Sequence, residues 1–203
     1  MRVLLTGFEP FGKYKENSSW VVAEKVTTLG VAGVELLLEQ MPVSFMRVPT
    51  SLRNAVEKHS PDIIVMLGQA ASIDYVKLER IAINMMDSAK GDNDGYIPDE
   101  EPICRGGESA LFNNVNIKEL RKVVEETGVG AKVSNSAGLY VCNRLYYEAL
   151  QLCELNPKMC ALFVHLPLYE GHPSATEGMP AMPLDDMVNA VQTIIMNIRN
   201  INI

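Results

Sequence analysis

Residues 62–68 read Asp-Ile-Ile-Val-Met-Leu-Gly, and this run of five apolar residues ending at a glycine predicts a buried β-strand. Shorter or similar apolar runs occupy residues 2–6 and 160–166, and residues 34–43 read as a further strand. Residues 76–85 alternate unevenly between apolar and polar residues. Segments with a helical spacing of apolar residues separate the predicted strands, at 17–30, up to 59, at 117–127, from 141 and at 184–199. Strands that alternate with helices predict an α/β fold: a three-layer α/β/α sandwich around a twisted, mainly parallel, mixed sheet.

Composition and charge bound the function. The 203 residues suit a single domain spanning 1–203. A net charge of -7, with no basic cluster longer than two residues, argues against nucleic acid and anionic membranes as partners. No apolar run reaches the length of a membrane span, and the N-terminus lacks a signal-peptide pattern, so we expect a cytoplasmic protein. The four cysteines have no metal-type spacing, and no Gly-x-Gly-x-x-Gly motif is present, so we expect neither a metal nor a cofactor.

Residues 134–143 read Ser-Asn-Ser-Ala-Gly-Leu-Tyr-Val-Cys-Asn and lead from turn-forming residues into an amphipathic helix. Cys142 therefore lies in or next to the first helical turn, on the inward face. The partial positive charge of a helix N-terminus favours a thiolate there, which predicts a nucleophile. The alternative is a small buried hydrophobe, which is what most free cysteines are. A nucleophile also needs a base and a group that orients the base.

The chain has three histidines from which to choose that base. His59 lies at a predicted helix end and reads as a solvated capping residue, and His172 lies in a Gly-His-Pro loop without rigid support. His165 is near the C-terminal end of a strand, the edge at which active residues of such sheets gather. It is the best base if Cys142 is a nucleophile, although a core histidine remains the alternative. Glu79 either pairs with Arg80 or holds the imidazole in one tautomer.

Two loops after predicted strands carry candidate binding residues. Residues 7–12 include Phe8 and Phe11, which either pack over the sheet edge or form a flat apolar slot for a small ring. Gln69 is the one bidentate polar residue in the loop after the third strand. Residues 87–109 are polar and rich in Gly, Pro and Asp, which predicts a long excursion with little regular structure that serves as a functional flap or an interface.

Four motifs in order resemble the pyroglutamyl-peptidase I family of cysteine peptidases: residues 6–12, residues 78–84 (Leu-Glu-Arg-Ile-Ala-Ile-Asn), residues 134–143 and residues 164–167 (Val-His-Leu-Pro). The resemblance implies a catalytic triad of Cys142, His165 and Glu79. It also implies a pyrrolidone pocket walled by Phe8 and Phe11, with Gln69 and main-chain groups around Tyr140 and Val141 reading the lactam. Peptides with an N-terminal pyroglutamate are then the partners, and a homo-oligomer, dimer or tetramer, is expected.

The chain departs from many bacterial members at two positions, where Ile73 and Ala89 replace arginines. The animal-type branch also lacks both arginines, so activity need not be lost. An alternative function is a catalytically weakened binding protein on the same fold. A redox-sensing thiol protein built on Cys142 is a third hypothesis, which the absence of an obvious resolving cysteine disfavours.

Overall fold

The computed structural model describes residues 1–199, so the last four positions of the predicted 1–203 domain lie outside the described residues. The strands are β1 (Arg2–Phe8), β2 (Glu35–Met41), β3 (Ile63–Gln69), β4 (Val76–Glu79), β5 (Ile81–Ile83), β6 (Ala110–Phe112), β7 (Ala131–Ser134), β8 (Cys160–Leu166), β9 (Leu168–Tyr169) and β10 (Ala181–Met182). The helices are α1 (Ser18–Leu29), α2 (Val48–His59), α3 (Ile117–Glu125), α4 (Val141–Leu155) and α5 (Leu184–Asn197).

A six-stranded sheet in the order β2-β1-β3-β8-β4-β7 forms the middle layer. The first four of these strands are mutually parallel, because their connections cross over through helices. β4 is antiparallel to β8, and β7 is parallel to β4. The prediction of a mainly parallel, mixed sheet is therefore confirmed.

Apolar residues on both faces of the sheet bind the two helical layers. One core joins the sheet to α1, α3 and α5, and the other joins it to α2 and α4. Val65 and Leu67 point into the first core, whereas Ile64 and Met66 point into the second, as the two-residue alternation of a strand requires. This arrangement explains why residues 62–68 are apolar without interruption, and it confirms the three-layer prediction.

Residues 76–85, in which apolar and polar residues alternate unevenly, form two strands. β4 ends at Glu79, and β5 leaves the main sheet to pair antiparallel with β6. The break lies at Arg80, whose N–H donates to the carbonyl of Ser134 while its own carbonyl accepts from Asn113. β7 was not predicted, because its sequence Ala-Lys-Val-Ser is short and only half apolar.

The excursion at 87–109 has little regular structure, as predicted, but it is held down by a buried carboxylate. Asp92 accepts a hydrogen bond from the N–H of Phe45 at 2.7 Å, and its other oxygen accepts from Asp94 and Tyr96. Asn93 donates its side-chain N–H to the carbonyl of Pro10 at 2.9 Å. These contacts fix the excursion against the loop after β1.

Candidate active site

Cys142 is the second residue of α4, as the sequence predicted, and it is partly buried. No side chain caps this helix. The N–H groups of Asn143 and Arg144 both donate to the carbonyl of Tyr140, the residue before the helix. The N–H groups before them are therefore free of intrahelical partners. They provide donors beside the sulfur atom.

Burial opposes the thiolate that the start of a helix favours at Cys142. Burial raises the pKa of the Cys142 thiol to about 12, and the charge of Glu79 adds to this effect. The backbone N–H of Cys142, at the start of α4, and the ammonium of Lys77 on β4 lower the pKa of this thiol. Their effect is smaller than that of burial and of Glu79. Desolvation of the charged form outweighs the helix contribution here, so the pKa of this thiol is raised overall.

His165 is held by Glu79 at the bottom of the site. Its Nδ1 lies 2.8 Å from Oε1 of Glu79, whose side chain is fully buried. Glu79 is the cross-strand partner of Phe163, which lies two residues before His165 in β8. The carboxylate therefore approaches the imidazole from the neighbouring strand β4. The hydrogen bond leaves Nε2 as the free nitrogen of the imidazole. Glu79 does not pair with Arg80, whose guanidinium donates to Asn135 at 2.9 Å.

Close packing fixes the imidazole ring of His165. The ring centroid lies 4.8 Å from that of Phe163, and Gly68 of the neighbouring strand β3 is in register with His165. A Cβ atom at Gly68 would lie 2.8 Å from the ring of Phe163 and 3.1 Å from Cδ2 of His165. Glycine at position 68 therefore leaves room for the two rings.

The other two histidines occupy different environments from those predicted. His59 is not a solvated cap: its side chain is 15% exposed, and Nε2 lies 2.6 Å from Oε1 of Glu39. His172 has the support that its loop sequence did not indicate, because it is buried between the rings of Tyr14 and Tyr169. Burial lowers the pKa of His172. Neither histidine lines the cavity described next.

One cavity of about 210 Å³ brings the predicted residues together. Its walls are Phe8, Phe11, Asn17, Val43, Gln69, Ala137, Tyr140, Val141, Cys142 and His165. All the predicted binding residues are thus in one place, with Cys142 and His165, while Glu79 is buried behind the imidazole. Val43 and Ala137, which carry no chemical signal in the sequence, also line the cavity, as does Asn17, the residue that caps α1.

Gln69 presents an unpaired donor. Its Oε1 accepts a hydrogen bond from the N–H of Ser18 at 2.8 Å, which fixes the orientation of the amide. Nε2 is buried and has no hydrogen-bond partner among residues 1–199. A buried N–H group without a partner is costly, so it marks a position at which a ligand carbonyl would be stabilised.

The sequence left open whether Phe8 and Phe11 pack over the sheet edge or line a binding slot. In the structure both residues pack against other rings and also line the cavity. Phe8 is 2% exposed and packs against Phe163 with ring centroids 6.5 Å apart, so it is a core residue whose edge reaches the cavity. Phe11 is partly buried and contacts Tyr14 at 5.3 Å. The cavity therefore has one rigid and one more exposed aromatic wall.

Within the described range, no three His, Cys, Asp or Glu side chains are grouped so that they could hold a metal ion. None of the helices in that range is both long and apolar enough to cross a bilayer.

Comparison with known proteins assigns the family. A family model for pyroglutamyl peptidase matches residues 1–200. The chain belongs to the pyroglutamyl peptidase family. It is 39% identical over 197 residues to the pyrrolidone-carboxylate peptidase of Thermococcus onnurineus, a match that covers 96% of this chain and 97% of that protein.

Solved structures give the same assignment. The crystal structure of pyroglutamyl peptidase I from Bacillus amyloliquefaciens superposes with a TM-score of 0.93 at 32% identity, covering 98% of this chain and 97% of that one. The pyrrolidone carboxyl peptidase of Fervidobacterium islandicum gives a TM-score of 0.93 at 34% identity, covering 98% and 99%. The predicted family, fold and enzyme class, a hydrolase of the cysteine-peptidase type, are confirmed.

Proposed function

We propose that the chain removes an N-terminal pyroglutamyl residue from peptides, with Cys142 as nucleophile, His165 as base and acid, and Glu79 as the group that orients the imidazole. The observation that carries the proposal is that Cys142 and His165 line one small apolar cavity while a fully buried carboxylate holds the far nitrogen of His165 at 2.8 Å. This is the relation of nucleophile, base and orienting acid that covalent acyl transfer requires.

The mechanism starts from the thiol. When the scissile carbonyl lies beside Cys142, Nε2 of His165 takes the thiol proton, and the sulfur forms a bond to the carbonyl carbon. Glu79 stabilises the imidazolium that results. His165 then gives the proton to the amine nitrogen as the C–N bond breaks, leaving a thioester. Water, deprotonated by His165, attacks the thioester carbon, and His165 returns the proton to the sulfur as the C–S bond breaks and pyroglutamic acid leaves. The raised pKa of the thiol makes this coupling of attack and proton transfer necessary.

Backbone groups are the candidates for stabilising the oxyanion. Ile73 is buried and Ala89 is exposed, and neither side chain carries a charge that could take over the role of the arginines found at these positions in many bacterial relatives. The free N–H groups at the start of α4 lie beside the nucleophile. Donors that need no reorganisation at a helix N-terminus stabilise developing negative charge, so we assign this role to the N–H of Cys142 and its neighbours.

The cavity suits a five-membered lactam. Pyroglutamate is flat and uncharged and has no free amine, and the walls are aromatic or aliphatic apart from a few amide and main-chain groups. Nε2 of Gln69 supplies a donor for the ring carbonyl. A free glutamine N-terminus would place an ammonium in this cavity, whose lining residues include no carboxylate among those described.

Amides of pyroglutamate, proline and glutamine that share one chromogenic leaving group test this assignment. We expect kcat/KM for the pyroglutamyl amide to exceed the prolyl value by about four decades, because proline leaves the lactam-reading groups unpaired. Gln69→Glu, which replaces the donor by an acceptor, should reduce this preference.

Similar kcat/KM values for the prolyl amide would contradict the assignment. Binding of pyroglutamyl ligands without turnover of any amide would favour the weakened binding protein instead.

The resemblance also supports a single domain over 1–203 that acts in the cytoplasm as a dimer or tetramer. Sedimentation velocity at micromolar protein concentration tests the oligomeric state. A monomer at that concentration would contradict the dimer or tetramer.

A further inference from the structure

Lys77 contacts the same carboxylate oxygen that holds His165. Its Nζ lies 3.3 Å from Oε1 of Glu79, the atom that lies 2.8 Å from Nδ1 of His165. The Glu79 side chain is fully buried, whereas that of Lys77 is 24% exposed. One oxygen is therefore shared by a cation and an imidazole, while Oε2 has no hydrogen-bond partner in the described part of the chain.

The register of the sheet explains why Lys77 reaches this oxygen. Lys77 and His165 are Cα partners across the antiparallel β4–β8 pair, and Glu79 is two residues further along β4. Directly opposite residues, and residues two apart on one strand, project from the same face of a sheet. The three side chains therefore meet on one face.

The ionisable groups that interact with Glu79 or with the Cys142 thiol are His165 on β8, Tyr146 on α4, Lys77 on β4 and Tyr140 before α4. Tyr146 donates its hydroxyl to the backbone carbonyl of Glu79 at 2.8 Å and leaves the carboxylate untouched. Lys132 is in register with Lys77, but its ammonium lies 3.9 Å from the ring centroid of Tyr75. Within residues 1–199, Lys77 is thus the lysine that contacts this carboxylate.

The position of Lys77 matters because of what Glu79 does to the nucleophile. The negative charge of Glu79 raises the pKa of Cys142, and the positive charge of Lys77 lowers it. When the thiol proton moves to His165, a thiolate forms near a buried carboxylate. A cation on that carboxylate lowers the cost of this step, and its contact also restricts the rotation of the carboxylate.

We propose that Lys77 is a positioning residue that holds the Glu79 carboxylate toward His165 and balances its charge, so that Cys142 can ionise during acyl transfer. The proposal rests on the proposed function. Lys77 is not among the residues that line the cavity, so it acts through Glu79 and not on the substrate. Its loss should therefore change kcat and the pH dependence of the thiol and leave KM nearly unchanged.

The test compares Lys77→Met and Lys77→Arg with wild type by the rate of iodoacetamide labelling of Cys142 as a function of pH. In Lys77→Met we expect labelling to slow about tenfold at each pH between about 7 and 9, which is the effect of a rise of roughly one unit in the pKa of the thiol. The kcat for a pyroglutamyl amide should fall about tenfold, with KM within twofold. Lys77→Arg should keep most of the wild-type labelling rate and most of the wild-type kcat, because it keeps the positive charge.

Lys122→Met is the matched control, since Lys122 makes an ion pair of the same 3.3 Å length with Glu119 on the exposed face of α3. It should leave the labelling profile and kcat unchanged. A wild-type labelling profile in Lys77→Met, or a change confined to KM, would overturn the proposal. If Lys77→Met is insoluble, Lys77→Gln is measured under the same two criteria.

The proposed function and the proposed role of Lys77 can be contradicted independently of each other. Loss of turnover in Cys142→Ser tests the nucleophile without reference to Lys77. The labelling profile tests Lys77 even if no pyroglutamyl amide is hydrolysed.

Discussion

Asn143 hydrogen-bonds the backbone of Ile83 in both directions: Oδ1 accepts from the N–H at 2.9 Å, and Nδ2 donates to the carbonyl at 2.8 Å. Nδ2 also donates to the carbonyl of Met85 at 2.9 Å. Asn143 is fully buried and follows Cys142 directly, so these bonds tie the start of α4 to β5. They fix Cys142 relative to the strand that follows Glu79.

Asn143→Ala should destabilise the protein and impair the chemical step. The N–H of Ile83 and the carbonyl of Met85 lose this partner, while the carbonyl of Ile83 keeps the N–H of Met85, and we expect the loss to cost about 3 kcal/mol of unfolding free energy. The kcat should fall more than KM rises, because a displaced nucleophile affects the transition state more than substrate binding. Urea unfolding and steady-state kinetics measure the two effects.

Asn114→Ala is the matched control, since Asn114 makes one side-chain bond, to the carbonyl of Met159, at 2.9 Å. It should cost about 1 kcal/mol and leave kcat unchanged. Equal effects of the two substitutions on kcat would contradict the role assigned to Asn143.

Phe8 and Phe11 should respond differently to truncation, although both line the cavity. Phe8→Ala removes a core side chain and should cost about 3–5 kcal/mol of stability. Phe11→Ala should cost less than about 1 kcal/mol, because Phe11 is more exposed, and should raise KM for a pyroglutamyl amide more than it lowers kcat. A large loss of stability in Phe11→Ala, with KM unchanged, would mean that Phe11 packs the loop and does not bind substrate.

Much of this site can be predicted from the sequence, because its residues lie at strand ends and at a helix start. Phe8 and Gln69 end the parallel strands β1 and β3, and Cys142 begins α4, so the alternation of strands and helices brings them to one edge. Glu79 and His165 carry their own chemistry. The motifs at residues 78–84 and 164–167 point to these two residues without any knowledge of how β4 pairs with β8.

What the sequence could not predict depends on pairings between distant segments. The contact of Lys77 with Glu79 and His165 requires β4 to run antiparallel to β8, and no local pattern sets that direction. The burial of His172 likewise needs Tyr14 and Tyr169 from two separate loops. The protonation of Cys142 depends on how much of the fold covers it, which the position of a residue in a helix does not reveal.

Stability should fall at alkaline pH, and Cys153 should account for a measurable part. Burial raises the pKa of the Cys153 thiol to about 12, above its unfolded value of about 8.5. A raised folded pKa contributes stability that is complete below the unfolded pKa and is lost as pH rises toward the folded one. Between pH 8.5 and 10, this group should cost about 1.6 kcal/mol.

Urea unfolding of wild type and Cys153→Ala at both pH values, with a reductant present, isolates that part. The variant should lose about 1.6 kcal/mol less than wild type over this interval, whatever its stability at pH 7. Equal losses in the two proteins would mean that the thiol ionises as readily in the folded state as in the unfolded one.

Hydrolysis of a chromogenic pyroglutamyl amide by wild type, Cys142→Ser, His165→Ala and the double variant tests the triad most directly. We expect turnover by wild type and a loss of about 10³-fold or more in kcat/KM for each single variant. The double variant should be barely worse, because the two side chains act as one unit. Unfolding curves close to that of wild type would show that the fold survives. Near-normal activity in either single variant would contradict the assignment of Cys142 and His165 as nucleophile and base.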